Sequence, residues 1–223
     1  MKLLFVCTLL FCLSLESYSQ NEVGLIPQIN SDFKLGEKWK INSKLEGRQI
    51  FFKNPYPAGK NQKEFDRLDV ELIATKSTDP LHAFGGGYLI RRADNSFTHR
   101  IIQQYAITRK MLASRISHRF RTDQTFEKDE SVQWRLRYRL SWEKPLNGFE
   151  IDPGEFYLKL NNEYLGILQD SKGDLEIRGL ASLGYDISDK NKIETGFDYR
   201  VENVIRSETK HLLFLNIGLY HSF

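Results

Sequence analysis

The segment 213-LFLNIGLYHSF-223 alternates between apolar and polar side chains and stops on an aromatic ring. Such alternation predicts a β-strand with one apolar face. Because the last residues of soluble proteins usually fray, a strand that ends on Phe223 favours a transmembrane β-barrel, whose last strand closes against the first. Gly218 and Phe223 fit the polar-x-Gly-x-x-aromatic-x-aromatic signal read by the barrel-assembly machinery, although His221 occupies the first aromatic position. We therefore expect Gly218 and Phe223 to act as a barrel-closure signal, with that machinery as a partner.

The N-terminus predicts secretion. A lysine is followed by an apolar run from Leu3 to Leu15, after which the chain turns polar. This is the pattern of a cleaved signal peptide, and the run is too short for a membrane helix. We expect residues 1–19 to be the signal peptide and residues 20–223 to be a single barrel domain. Both cysteines lie in the predicted signal peptide, so the mature chain would have no disulfide and no thiolate chemistry.

The composition is compatible with a membrane barrel. Charged residues make up 27% of the chain and the mean hydropathy is −0.47, but a barrel strand needs an apolar residue only at every second position. No other segment approaches the roughly 18 consecutive apolar residues of a helical span. The formal net charge of +3 and the absence of a long basic block speak against a nucleic-acid partner. The composition leaves the oligomeric state open.

Period-two segments recur along the whole chain and indicate an all-β protein. The clearest alternation places apolar Val132, Trp134, Leu136, Tyr138, Leu140 and Trp142 opposite polar Gln133, Arg135, Arg137, Arg139 and Ser141.

Eleven such segments can be counted, whereas single-chain bacterial barrels usually have an even number of strands and both chain ends in the periplasm. Pro27 cannot donate to a β-ladder, so we expect the first segment to drop out and Trp39–Phe52 to pair with the last strand. Ten strands would remain, and twelve, with one undetected strand, is the alternative. In that arrangement 77–80 and 188–191 are short periplasmic turns. The predicted fold is an antiparallel up-and-down transmembrane β-barrel of about 10 to 12 strands.

Alternation alone does not say which face points inward. A soluble barrel of the lipocalin type buries its apolar face, whereas a membrane barrel turns that face to lipid and its charges to the lumen. Segments of about 11 to 14 residues exceed the usual soluble strand of about 5 to 6 and suit a tilted bilayer crossing. Aromatics such as Trp134 and Trp142 bracket the apolar faces. We therefore predict an outer-membrane location with outer-membrane lipids as partners.

The charged faces predict the lining of the lumen. The densest cluster is arginine-rich, with Arg135, Arg137 and Arg139 beside Arg115, Arg119 and Arg121 on a neighbouring strand. These side chains could form a ring that attracts anions or lipid phosphates, or a salt-bridge network that fills a narrow barrel, which we favour. The predicted lumen-lining residues are Arg67, Arg100, Arg115, Arg119, Arg121, Asp123, Arg135, Arg137, Arg139, Glu155, Glu163, Arg178, Glu194 and Asp198.

No catalytic motif stands out, and we expect the protein not to be an enzyme. His99 and His118, with Ser117 beside the second, invite comparison with lipid hydrolases of the outer membrane, but the histidines fall on the predicted outward face. Gly85-Gly86-Gly87 lacks the lysine and helix of a phosphate loop, and the acidic turn Asp170–Asp174 lacks calcium-loop spacing. We therefore predict no cofactor and no metal.

Six short motifs are spread along most of the chain: Phe65-Asp66-Arg67-Leu68, Gly86-Gly87-Tyr88, His99 to Gln104, His118 to Gln124, Arg135 to Leu140 and Asn162-Glu163. Together they resemble the successive motifs of the DUF2490 family. The chain departs from the family at Ile102, where an aromatic is usual, and at Asp123, where Glu is usual. The resemblance implies a secreted bacterial outer-membrane β-barrel and no particular reaction. We expect a structural barrel or a narrow pore, with an outer-membrane lipid-modifying enzyme or a soluble periplasmic barrel for a small apolar ligand as alternatives.

Overall fold

A computed structural model describes residues 20–54, 64–94, 96–206 and 208–223. The predicted signal peptide, 1–19, and the polar connection 55–63 lie outside the described residues. No helix in the part of the chain that is described is long and apolar enough to cross a membrane, a finding that concerns helical spans alone.

The described chain forms eleven β-strands that close into one barrel. They are β1 (Gln20–Leu35), β2 (Trp39–Asn54), β3 (Glu64–Ser77), β4 (His82–Ala93), β5 (Ser96–Met111), β6 (Ser114–Phe126), β7 (Gln133–Pro145), β8 (Phe156–Gln169), β9 (Lys172–Ser188), β10 (Asn191–Glu202) and β11 (Lys210–Ser222). The predicted all-β barrel and its range of strand numbers are confirmed.

The barrel closes through one parallel pair of strands. Consecutive strands pair antiparallel, whereas β1 and β11 run parallel from Gln20↔Lys210 to Asp32↔Ser222. Because a ring of alternating strands can be odd in number only if one pair is parallel, the argument from even strand numbers was wrong. The expected pairing of the last strand with the Trp39–Phe52 segment was also wrong, since β11 pairs with β1.

The parallel closure also separates the ends of the barrel chain. β1 begins at one rim, here called the Gln20 rim, and β11 ends at the opposite rim, the Phe223 rim. The expectation that both ends lie on one side was therefore wrong. The Phe223 rim carries the connections 36–38, 78–81, 112–113, 146–155 and 189–190, so the two turns predicted to share a side do share one.

Pro27 is accommodated because the ladder skips it. The β1–β2 pairs run to Leu25↔Gln49 and resume at Gln28↔Glu46, so Pro27 lies in a gap and its missing N–H interrupts no pair with β2. The proline ring packs against β2 at Gly47, where an added Cβ would lie 3.5 Å from Pro27 Cγ, an ordinary van der Waals distance. Excluding the first segment because of its proline was therefore wrong.

Both predicted closure residues take part in the β1–β11 seam. The Phe223 amide donates to the Asp32 carbonyl at 2.9 Å, and the Phe223 ring stacks on Phe33 with centroids 4.4 Å apart and an interplanar angle of 6°. Gly218 leaves space inside the barrel for two side chains, because an added Cβ would lie 2.9 Å from both Gln28 Nε2 and Tyr220 Cε2. The seam thus has a ring stack at its rim and a glycine inside the barrel.

The structure shows which face of each strand points inward. On β11, the side chains of Leu213, Leu215, Ile217 and Leu219 are 36–47% exposed, whereas Leu212, Phe214 and Asn216 are at most 6% exposed. The buried positions elsewhere are largely charged, and the exposed positions between them are apolar. The barrel therefore has a charged interior and an apolar outer surface.

The acidic turn is shorter than predicted. Asp170 and Ser171 alone connect β8 to β9, and their φ angles of 50° and 62° suit a two-residue hairpin turn that matches the strand twist. Asp174, assigned to the turn from sequence, lies inside β9 and is buried.

Candidate functional site

The candidate site is the interior of the barrel, which encloses a cavity of about 610 Å³. Thirteen lysines and arginines and ten aspartates and glutamates line it, with only four aliphatic side chains, Ile73, Leu89, Ile167 and Leu180. Transferring an apolar ligand into so polar a lining would gain little, because the charged groups would lose their partners or their water. The interior therefore does not suit the small apolar ligand of the soluble alternative.

Glu163 is the centre of the interior. It is 2% exposed and lies within 4.0 Å of four guanidinium groups. Its oxygens meet Arg139 Nε at 2.7 Å, Arg178 Nη1 at 3.2 Å, Arg137 Nη1 at 3.5 Å and Arg119 Nη2 at 3.8 Å. We call these five residues the Glu163 centre.

The strand register assembles this centre. On β8, Glu163 is directly opposite Arg139 of β7 and Arg178 of β9. On β6, Arg119 is directly opposite Arg139, which places two like charges side by side. Like charges opposite each other destabilise a sheet, so the shared carboxylate compensates for a register that would otherwise be unfavourable.

Ion pairs extend from the Glu163 centre across the barrel. Arg137 also contacts Asp123 at 3.4 Å, Asp123 accepts from Arg121 at 2.7 Å, and Arg121 reaches Glu71 at 2.6 Å. Glu71 belongs to β3, three strands away from Arg121 on β6, so this last pair crosses the interior. The network therefore connects distant strands through side chains and reduces the free width of the lumen.

Separate pairs line the rest of the wall. Arg91 donates two hydrogen bonds to Asp69, at 2.8 and 2.6 Å, and Arg200 donates two to Asp198, at 3.0 and 2.8 Å. Such two-bond arginine–carboxylate pairs are strong and geometrically specific. Near the Phe223 rim, Glu194 accepts from both Tyr157 Oη and Lys159 Nζ, each at 2.8 Å.

Tyr157 shows how the sequence makes room for this arrangement. Its ring is 1% exposed and lies directly over Gly184 of the neighbouring strand. A Cβ at Gly184 would be 2.1 Å from Tyr157 Cζ, so only glycine fits beneath the ring. The glycine thus allows the tyrosine hydroxyl to reach Glu194.

Most of the residues predicted to line the lumen do line the cavity. They are Arg67, Arg100, Arg119, Arg121, Arg135, Arg137, Arg139, Glu163, Arg178, Glu194 and Asp198. Asp123 is on the same inward face, fully buried among its arginine partners.

Two predicted residues do not line the cavity, because they lie too close to the Phe223 rim. The Arg115 side chain is 50% exposed and pairs with Glu143 at 2.7 Å. Glu155 is in the 146–155 connection and accepts a hydrogen bond from Asn147 at 2.8 Å. The alternation of charge does not show how far along the barrel axis a residue lies, so it could not show that these two are at the rim.

Other interior residues were not included in the prediction. The inward face of β3 carries Asp69 and Glu71 beside the predicted Arg67, and simple alternation would have found them. Arg91 is harder to predict from alternation, because its inward neighbours on β4 are Gly87 and Leu89 rather than charged residues.

Comparison with protein-family models identifies the group to which this barrel belongs. Residues 27–210 match the model described as "Protein of unknown function (DUF2490)". The chain belongs to the DUF2490 family. No curated protein and no solved structure matches it. The match begins within β1 and ends where β11 begins, so it includes the Glu163 centre and leaves most of the closing strand outside.

The outer face of the DUF2490 barrel carries the histidines. In four cross-strand pairs, a histidine Nδ1 lies 2.5–2.9 Å from a tyrosine hydroxyl: His82–Tyr105, Tyr88–His99, His118–Tyr138 and Tyr199–His211. The histidines lie toward the rims, His82 and His118 toward the Phe223 rim and His99 and His211 toward the Gln20 rim, whereas Tyr88 and Tyr138 lie near the middle of β4 and β7. The remaining histidine, His221, contacts Asn191 and Phe223 near the Phe223 rim.

The hydrolase alternative needs a serine and a histidine together, and the strand geometry separates them. Ser117 points inward and its hydroxyl lies 2.9 Å from that of Thr108. His118, the next residue, points outward to Tyr138. Neighbouring residues of a strand face opposite sides, so this pair cannot act on one substrate. Among the described residues, no group of three His, Cys, Asp or Glu could hold a metal ion.

Proposed function

We propose that this DUF2490 barrel is a non-enzymatic protein of the bacterial outer membrane, either structural or a narrow pore. A single observation carries the proposal: charged side chains are buried inside the barrel, and apolar side chains are exposed outside it. In water, an outer surface of this kind would leave large contiguous apolar patches exposed, which soluble monomers rarely show. In a bilayer, the same surface meets lipid tails and the charges are shielded in the lumen.

The positions of the polar aromatics support the same environment. Tyrosine and histidine have an apolar body and a polar edge, which suits the boundary between lipid and water. The histidines of the four tyrosine–histidine pairs lie toward the two rims, where interfacial girdles are found. In this proposal residues 1–19 direct export, Gly218 and Phe223 serve the assembly machinery, and outer-membrane lipids surround the barrel.

The ion pairs of the interior support a lumen that conducts few ions. The Glu163 centre and its extension to Glu71 place buried guanidinium and carboxylate groups across the barrel. Removing either partner of such a pair leaves a buried charge without compensation, so the network resists opening. We expect reconstituted protein in planar bilayers to give small or no conductance steps. Large, water-filled steps of the porin type would contradict the closed interior.

The sharpest test of membrane location compares two leucines that are exposed for different reasons. Leu72, 53% exposed, is on the outer face of the middle of β3, and Leu112, 82% exposed, is in the turn at the Phe223 rim. An arginine facing lipid near the bilayer middle costs about 2–4 kcal/mol, whereas an exposed substitution in water usually changes stability by less than about 0.5 kcal/mol.

We therefore expect Leu72→Arg to lower the free energy of unfolding in lipid vesicles by several-fold more than Leu112→Arg. Unfolding is measured in urea by the loss of heat-modifiable migration on gels. Equal, small effects of the two substitutions, together with recovery of the protein in the soluble periplasmic fraction, would refute the proposal.

A further inference from the structure

Among the described residues, two interior arginines differ from the others in having no acidic partner within 4.0 Å. Arg121, Arg137, Arg139 and Arg178 each have a carboxylate oxygen within 4.0 Å. Within the described residues, no such oxygen lies within that distance of Arg100 or Arg135. Both side chains are nevertheless buried, at 3% and 9% exposure, and both line the cavity.

Arg100 and Arg135 retain free hydrogen-bonding capacity toward the cavity. Arg100 Nε donates to Thr125 Oγ1 at 3.0 Å, which engages one of its five N–H groups. Arg135 Nε is buried and has no hydrogen-bond partner among the described residues. The two residues are on β5 and β7, on either side of β6, and belong to one patch of wall.

The acidic groups nearest to this patch are already occupied. Asp123 is opposite Arg135 in the β6–β7 register, but its oxygens turn to Arg121 at 2.7 Å and Arg137 at 3.4 Å. Glu176, whose charge acts on Arg135, is held by Arg178 at 2.5 Å. Positive charge therefore predominates at this part of the wall.

We propose that Arg100 and Arg135 form a binding site for a small free oxyanion of the phosphate or sulfate type. A buried charge without a partner is costly, and a bound oxyanion supplies the missing negative charge. The planar guanidinium fork matches two oxygens of such an anion. The site belongs to the barrel interior, and its existence does not depend on where the barrel resides.

The test uses the full barrel, refolded in a non-ionic detergent without phosphate, with inorganic phosphate as the probe. Its unfolding midpoint is measured against phosphate concentration, with sodium chloride keeping the ionic strength constant. A ligand that binds only the folded state raises the midpoint in a saturable manner. We expect such a rise in the wild type and at least a tenfold weaker apparent affinity in Arg135→Gln and in Arg100→Gln, because each loses charge-assisted hydrogen bonds.

Two further variants make the result specific. Arg135→Lys retains the charge and should bind phosphate with intermediate affinity, which also covers the case in which Arg135→Gln does not fold. Arg115→Gln removes an arginine that lies outside the cavity and should leave phosphate binding unchanged. A separate titration with short-chain phosphatidylglycerol identifies the source of the phosphate group, and a stronger response to the lipid than to inorganic phosphate would contradict a free-anion site.

The proposal is overturned if the phosphate response is the same in the wild type and in Arg100→Gln/Arg135→Gln, or if it does not saturate. Failure of the Leu72→Arg comparison would refute the membrane location and leave this site untouched. Conversely, loss of the phosphate response would leave the membrane location standing.

Discussion

The Glu163 centre and the Arg100–Arg135 pair are both buried and rich in arginine, yet their electrostatics are opposite. In the first, one carboxylate serves four guanidinium groups. In the second, two guanidinium groups have no carboxylate of the described residues in contact. Register and competition for carboxylates explain the difference. Glu163 has arginines directly opposite on both sides, whereas Arg100 has only Leu89 and Thr125 opposite. Arg135 is opposite Asp123, but that carboxylate contacts Arg121 and Arg137 instead. Buried arginines in one barrel can thus stabilise a structure or await a ligand, according to whether a neighbouring carboxylate is present and unoccupied.

We expect the largest effect from Glu163→Gln, which removes the shared carboxylate of the Glu163 centre. The substitution leaves four buried arginines with a neutral neighbour, and removing one partner of a buried ion pair costs about 3–5 kcal/mol. We expect a loss of that size in the free energy of unfolding, measured in urea on the refolded barrel. Glu155→Gln, at an exposed connection, is the matched control and should change little. A loss below about 1 kcal/mol for Glu163→Gln would mean that water, not Glu163, compensates the arginines.

A smaller loss is expected for Asp123→Asn. Arg121 would keep Glu71 and Arg137 would keep Glu163, so each cation retains one carboxylate. Weakening buried hydrogen bonds to charged groups while partners remain costs about 1–3 kcal/mol. The same urea unfolding experiment measures it. If Asp123→Asn cost more than Glu163→Gln, the hub of the network would be Asp123 instead.

For Arg135, which has no carboxylate within 4.0 Å among the described residues, we expect the opposite effect on stability. In buffer without phosphate or sulfate, Arg135→Gln removes a buried charge that has no carboxylate partner in the described part of the chain, so stability should be unchanged or rise by about 1 kcal/mol. Arg139→Gln, at a paired arginine of the same strand, is the contrasting variant and should destabilise. Equal destabilisation by the two substitutions would show that Arg135 has a compensating group that its contacts do not reveal.

The smallest effect is expected for Arg115→Gln. The pair with Glu143 is half exposed at the arginine, and exposed ion pairs contribute about 0–1 kcal/mol. Because salt screens exposed pairs, we expect the small loss to shrink further as sodium chloride is raised. A larger, salt-independent loss would indicate that Arg115 belongs to the interior network.

Much of the fold could be predicted from local sequence, because side-chain alternation is a local property. The segment from Val132 to Trp142 shows its strand and both faces directly, and β7 follows it closely. The same alternation places Ser117 and His118, which are adjacent in sequence, on opposite faces of β6.

Properties that depend on neighbouring strands could not be predicted in this way. The tolerance of Pro27 depends on a gap in the ladder between β1 and β2. The sharing of Glu163 by four arginines depends on the registers of β6 to β9, which alternation leaves undetermined. The odd number of strands depends on the parallel pairing of β1 with β11, which cannot be predicted from the sequence of either strand alone.

The parallel seam also bears on how the barrel folds. Every other strand pair joins neighbours in the chain, whereas the seam joins residues such as Gln28 and Tyr220, which are 192 positions apart. Long-range pairing is slow because much chain entropy must be lost before the contact forms. We therefore expect hairpins to assemble first and the ring to close last. Until that step, the growing sheet has two open edges, and open edges are templates for aggregation. The refolding yield should accordingly fall as the protein concentration is raised. The rate of ring closure should depend on the contacts that Phe223 makes with β1.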